Sequence, residues 1–253
     1  QNDRTWGFWA DEPTLFDDVV WHTWDEFQVV GDDFSRVISL GDYQYKVIRG
    51  VDFYRSAHQK LAESGAVERK LGRITAVDDG RDAACVWVDG QPIYGRWVFD
   101  SLPHRPARGE PYQRLLMHFR GWEIETPKPA FDPKRMTFLD FRTPQVGQMR
   151  FFYVLPFTER RALVEFTVFS NRVLRRSEYE ASIRGYLGEV LGLSSYTVLS
   201  EERGAVPITD NPLKRELGRR IMAIGARAGR IKPSTGYAFV RVQRDSEEIV
   251  ESL

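Results

Sequence analysis

The sequence predicts a mixed α/β (α+β) fold in which an antiparallel sheet is inserted between stretches of mixed strands and helices. Three observations point there. Short β-type runs separated by Asp-Gly turns fill residues 66–100, four further runs follow across 115–170 with no helix between them, and helical periodicity is confined to isolated blocks.

Residues 1–30 carry Trp6, Phe8, Trp9, Trp21, Trp24 and Phe27 among acidic residues without a clear period, which predicts a packed irregular segment. Arg36 to Ile48 alternates about Gly41-Asp42 as a hairpin does, and Val51 to Ser64 places Tyr54, Ala57 and Leu61 at helical spacing before a Gly65 stop. Arg73 to Val77, Ala84 to Val88 and Gly95 to Phe99, with Asp79-Gly80 and Asp89-Gly90 between them, predict a three-stranded meander. Leu102 to Pro111, with three prolines and two arginines, is the expected domain crossing. Leu115 to Glu125, Met136 to Arg142, Met149 to Phe157 and Arg161 to Ser170 predict four strands of one sheet, the last two joined by a tight Thr158-Glu159-Arg160 turn. Ser177 with Glu180 has capping-box spacing for a helix running to Gly192. A strand at Tyr196 to Ser200, an apolar run at Ile221 to Ile224 and a helix restarting near Thr235 complete the chain. The expected divisions are 1–105, 106–200 and 201–253.

Composition removes several function classes. Lysine plus arginine equals aspartate plus glutamate at 36 each, so no global field draws the chain to nucleic acid. The lone Cys85 and the scattered His22, His58, His104 and His118 offer no zinc-ligand spacing, and no metal is expected. A single thiol suits a reducing compartment such as the cytoplasm. The longest apolar stretch, Phe151 to Phe157, is too short to span a membrane, which leaves peripheral contact. An aromatic content of 13% fits either an aromatic core or a pocket for a long apolar ligand.

Glu165 is the most informative residue. Leu163, Thr167 and Phe169 share its strand face while Val164, Phe166 and Val168 occupy the other, so burial is expected to raise its pKa and keep it protonated as a general acid. The alternative is a buried glutamate neutralised by Arg142 or Arg150. Asp140 and Arg142, two apart on a strand, form either a structural ion pair or a pair that tunes an acid. Gly225, Gly229 and the Pro233-Ser234-Thr235-Gly236-Tyr237 run before a helix suit a flavin ring or a phosphate, and equally an ordinary loop with a cap. No G-x-G-x-x-G follows a strand. His118 reads first as a satisfied core histidine.

Several ordered strings carry a resemblance. They include Thr5-Trp6-Gly7-Phe8-Trp9, Val98-Phe99-Asp100-Ser101, His118-Phe119-Arg120-Gly121-Trp122, Phe138-Leu139-Asp140-Phe141-Arg142, Phe151-Phe152-Tyr153-Val154-Leu155-Pro156-Phe157, Ala162-Leu163-Val164-Glu165-Phe166-Thr167 and Pro233-Ser234-Thr235-Gly236-Tyr237. Together they resemble the bacterial lycopene beta-cyclases. The resemblance implies a doubly wound FAD-binding domain of the flavin monooxygenase-like type, here without its first glycine-rich β-α-β unit, carrying an inserted substrate sheet. It implies reduced FAD with NAD(P)H as reductant, lycopene as substrate met at a membrane, and non-redox closure of beta-ionone rings. Glu165 falls at the family's essential acid, with only one of that motif's two carboxylates kept, and Asp140 and Arg142 fall at its Asp-Phe-Arg motif. Cofactor contacts are expected from Gly225, Gly229, Pro233, Ser234, Thr235, Gly236 and Tyr237, and substrate contacts from His118, Trp122, Phe138, Tyr153 and Phe169. The rival readings are a flavin monooxygenase or related oxidoreductase and a carotenoid-binding remnant without cofactor.

Overall fold

The structure, a computed structural model, describes residues 4–103 and 111–253. The chain opens with β1 (Thr5–Ala10), β2 (His22–Trp24), β3 (Glu26–Gly31), β4 (Phe34–Ser39), β5 (Gln44–Arg49) and α1 (Gly50–Ser64). There follow β6 (Ile74–Asp79), β7 (Ala84–Val88), β8 (Gln91–Gly95) and β9 (Val98–Asp100). The long strands are β10 (Arg114–Glu125), β11 (Met136–Asp140), β12 (Met149–Thr158) and β13 (Arg161–Ser170). Helix α2 (Arg176–Gly185) runs into a π-helical turn at Tyr186–Val190, and β14 (Thr197–Thr209), β15 (Ile221–Ala223) and α3 (Phe239–Ser252) end the chain.

Two compact units result: Gln1–His58 with Arg114–Ile208, and Gln59–Gln113 with Thr209–Leu253. These divisions differ from 105 and 200 because β3 pairs in parallel with β11, Phe27 opposite Met136 and Val30 opposite Asp140, which commits the N-terminal strands to the large sheet. Most of the expected crossing at Leu102 to Pro111 lies outside the described residues.

In the first unit seven strands are ordered β14-β10-β13-β12-β11-β3-β4, so the four strands expected to share a sheet occupy adjacent places. β10 and β13 pair antiparallel from Leu116↔Ser170 to Glu125↔Arg161, and β12 and β13 form the expected hairpin. One face is covered by α2 and its π turn. Trp122, Ile124, Phe152, Val154, Ala162, Val164, Phe166 and Val168 meet Leu174, Tyr179, Ile183, Tyr186 and Leu187 there, and the Tyr186 ring stacks on Phe152 at 3.8 Å between centroids. A second sheet, β1-β5-β2, belongs to the same unit.

The opening segment is strand rather than irregular. Its aromatics fall on both faces of β1, since Trp9 packs on Phe27 and Tyr45 while Phe8 is buried, and this erases the apolar–polar alternation by which a strand is read. The Gly41 turn does not close a hairpin either. β4 pairs with β3 and β5 with β1 and β2, so the turn hands the chain from one sheet to another. Helix α2 begins earlier than Ser177, with the Glu178 carboxylate accepting from the Arg175 N–H at 2.8 Å.

The second unit holds the meander β6-β7-β8 and a parallel pair, β9 with β15. The third meander strand is β8, and the Gly95 to Phe99 run is split because Val98–Asp100 pairs elsewhere. α3 starts at Phe239, four residues past Thr235. Since Phe152 is fully buried between Phe166 and Tyr186, Phe152→Ala is expected to cost about 3–5 kcal/mol, read as a lower denaturant midpoint at unchanged m-value.

Candidate active site

Period-two alternation sends Glu165 to the sheet face opposite α2. It lies directly across from Tyr153 on β12 and Gly121 on β10. On the far side of β10, contacts of Phe119 with Gly204, Gly121 with Glu202 and Glu123 with Ser200 set the place of β14. Glu202 is therefore brought over Gly121 to Glu165, so that the two carboxyl groups are close enough to share a proton. A Cβ on residue 121 would stand 3.2 Å from Glu202 Cγ and 3.3 Å from Glu165 Cβ, so glycine is what leaves room for the approach.

No cation neutralises the pair at contact distance among the described residues. Thr167 Oγ1 donates to Glu165 Oε1 at 3.2 Å and Thr5 Oγ1 donates to Glu202 Oε2 at 2.7 Å. Burial, and next the neighbouring Glu202 charge, hold the Glu165 pKa well above the ordinary carboxylate range. Glu165 as donor and Glu202 as acceptor satisfy both groups with one proton. The Glu165 residue keeps some accessible surface, while burial of its carboxyl encloses the proton. Neither arginine weighed against the acid reading serves it: Arg142 pairs with Asp140, and Arg150 is held by Gln148.

Of the five aromatic contacts expected, the sheet brings three to the Glu165 face. Tyr153 is beside Glu165, Phe138 meets Tyr153 at 5.4 Å, and Phe169 meets Phe151, itself 5.2 Å from Tyr153. Trp9, Phe27 and Tyr45 extend the strip through Phe138. Trp122 and His118 point the other way, into the face under α2. His118 is fully buried between Ser170 Oγ at 2.8 Å and the Tyr179 hydroxyl at 2.5 Å, with its pKa lowered by burial, which makes it a satisfied core histidine.

Asp140 and Arg142 form their predicted pair, but also under α2. Asp140 sits opposite Phe152, accepts from Arg142 Nη2 at 2.6 Å and from the Tyr186 hydroxyl at 2.7 Å, and has a pKa lowered by Arg142 and Tyr186 against the opposing effect of burial. The sheet stands between this pair and Glu165, and it ties β11 to the π turn.

In the second unit, Gly225, Gly229 and Gly236 all have positive φ (59°, 71° and 76°). Arg227 binds Asp100 at 3.2 Å and the Leu102 carbonyl at 3.2 Å, fixing the short helix after β15 to the end of β9. Lys232 N–H donates to the Tyr237 carbonyl at 2.8 Å, closing a loop around Pro233, Ser234, Thr235 and Gly236 ahead of α3. The Gly225 backbone has nothing within 4 Å of where a side chain would begin, so it stands open to a ligand.

The fold matches that of CtdE solved in complex with FAD, with TM-score 0.65 at 12% identity over 96% of this chain and 69% of that one. It also matches a geranylgeranyl bacteriochlorophyll reductase-like protein of Thermoplasma acidophilum, with TM-score 0.63 at 15% identity over 97% and 68%. The architecture is thus the mixed α/β fold of FAD-binding enzymes. The chain itself belongs to the lycopene cyclase protein family, whose family model matches residues 1–253. It is 24% identical to a neoxanthin synthase of Solanum tuberosum over 99% of this chain and 53% of that protein, and 26% identical to the lycopene beta-cyclase of Pantoea ananas over 93% and 60%. The chain spans about half the length of the first of these relatives.

Two outcomes are expected. Tyr186→Phe keeps the stack on Phe152 but removes a donor from buried Asp140, lowering stability by about 1–2 kcal/mol in denaturant titration. The raised Glu165 pKa means the folded state binds this proton more tightly than the unfolded chain. Its contribution is complete below the ordinary carboxylate range and is lost as pH rises through the raised value, so Glu165→Gln should lose less stability than the wild type as pH is raised above the ordinary carboxylate range in thermal melts.

Proposed function

We propose that this chain carries the proton-donating site of a carotenoid cyclase that closes the psi ends of lycopene to beta-ionone rings, and that Glu165 is the acid. The observation that carries the reading is a glutamate kept protonated on an aromatic-lined sheet face, in a chain of the lycopene cyclase family.

The chemistry asks for these features together. Glu165 transfers its proton to the terminal double bond of the polyene, giving a tertiary cation that the next double bond attacks to close a six-membered ring. A proton then leaves a ring carbon and returns to the carboxylate, so substrate and product are isomers. The faces of Tyr153, Phe138 and Phe169 supply electron density to the cation and keep out water that would trap it as an alcohol. Asp140 and Arg142 contribute by anchoring β11, which carries Phe138.

We assign FAD as cofactor, in its reduced form with NAD(P)H as reductant. Positive-φ Gly225, Gly229 and Gly236 with the closed Pro233–Tyr237 loop before α3 fit the close backbone approach that a flavin requires. When bound, reduced FAD would supply electron density able to stabilise a carbocation without net redox change. Lycopene is a hydrocarbon dissolved in bilayers, so we place the enzyme on the cytoplasmic side in peripheral contact with a membrane. No helix among the described residues is long and apolar enough to cross one.

The test is pigment analysis of lycopene-producing bacteria expressing the full enzyme and its Glu165→Gln variant. Cyclic carotenes from the wild type, cut at least about a hundredfold in the variant, support the assignment. Equal yield from the variant removes Glu165 as the acid, and stoichiometric NAD(P)H consumption by the purified enzyme would replace cyclisation with an oxidoreductase reaction.

A further inference from the structure

We infer that Glu202 is the positioning residue of the site: a carboxyl partner that keeps the shared proton on Glu165 and, once the proton has left, forms with it a paired dianion facing the substrate cation. The role in turnover rests on the acid assignment above, whereas the pairing itself stands on geometry.

That geometry is specific. Three neighbouring strands place Glu202, Gly121 and Glu165 in a row, and the middle position lacks the side chain that would hold the outer two apart. Burial raises the Glu202 pKa as well, but less far than that of Glu165, because Thr5 reaches from β1 to donate to Glu202 and favours its charged form, while Thr167 donates to Glu165 and leaves the other Glu165 oxygen to carry the shared proton. The remaining ionisable groups on this side are accounted for. Glu123 on β10 is bound by Arg161 at 2.5 Å and Ser200 at 3.0 Å, Arg49, opposite Thr5 on β5, is paired with Asp52 at 2.5 Å, and Tyr153 faces Glu165 from β12. Each cation here already has its own carboxylate, so the second negative charge beside Glu165 is left to act on it.

The charge count closes. The resting pair holds one proton and one negative charge, and the polyene is neutral. Proton transfer breaks the Glu165 O–H bond, forms a C–H bond and leaves two carboxylates beside one carbocation. Deprotonation of the ring carbon then re-forms the O–H bond and the double bond, restoring the pair with no oxidant or reductant. Two adjacent negative charges are unfavourable by themselves, and this opposes premature loss of the proton to water. A cation next to them relieves that repulsion, so the arrangement holds the proton until a substrate can accept it and then favours the cation that forms.

The test is a titration that needs no turnover. The full chain labelled with carboxyl-13C glutamate is followed by NMR across pH as wild type, Glu165→Gln, Glu202→Gln and Glu202→Asp, with Glu165→Gln used to assign the Glu165 resonance. Glu202→Gln should bring the Glu165 midpoint down by about one pH unit or more, and Glu202→Asp should keep it near the wild-type position. Should Glu202→Gln unfold, Gly121→Ala, which crowds the two carboxyls apart, replaces it with the same expected fall. An unmoved midpoint in the folded variant overturns the proposal. Cyclisation by the same proteins reads the acid assignment separately: activity lost in Glu165→Gln with the midpoint unmoved in Glu202→Gln leaves Glu165 the acid and removes Glu202, whereas a moved midpoint without any Glu165 dependence of activity keeps the pair and removes its catalytic use.

Discussion

The alternation of side chains across one continuous sheet is the constraint on which the rest of the first unit depends. Even-numbered residues of β13 turn toward α2 and build an apolar core, while odd-numbered ones turn away, and a residue cannot serve both sides. This rule sets two polar groupings apart that the sequence places close together. Asp140, Arg142 and Tyr186 lie under the helix and stabilise it; Glu165 and Glu202 lie on the other surface and are stabilised by little beyond each other and two threonines.

The contrast between these groupings is one of charge balance. Asp140 is buried with a guanidinium and a phenol, which is how a folded protein ordinarily accommodates a carboxylate. Glu165 is enclosed with a second carboxyl group and no cation of its own, an arrangement that costs stability unless a proton is retained. Selection for stability alone favours exchanging such a pair for apolar residues, so its presence beside an aromatic strip supports the proposed site.

Much of this was legible in the sequence. The four long strands, the Thr158–Arg161 turn, α1, and Glu165 as a carboxyl between apolar faces follow from local patterns, because strand period and turn chemistry are local properties. Strand partners were not. Gly41 marks a turn whichever strands it joins, and only long-range pairing decides that β4 and β5 part company there. Glu202 was missed for a related reason: the strand expected to end at Ser200 continues to Thr209, and its charged, exposed Glu201 and Arg203 mask the inward alternation of Ser200, Glu202 and Gly204. A second carboxyl group is brought beside Glu165 by another strand, a proximity in space that a linear motif cannot register. Asp140 and Arg142 were identified as a pair from their spacing, but which surface they occupy is set by the register shift in β11.

β14 is one of the two outer strands of the seven among the described residues, and most of its length is exposed. Outer strands are held by one neighbour and breathe more readily than inner ones. The acid therefore sits on the firm interior of the sheet while its partner rides on the hem. Were the hem to part from β10, Glu165 would lose the neighbour that raises its pKa and move back toward the acidity of a free glutamate. The tightness with which Glu165 keeps its proton is in that sense a property of an edge, set by how firmly the margin of the sheet is held as well as by the strand that carries Glu165.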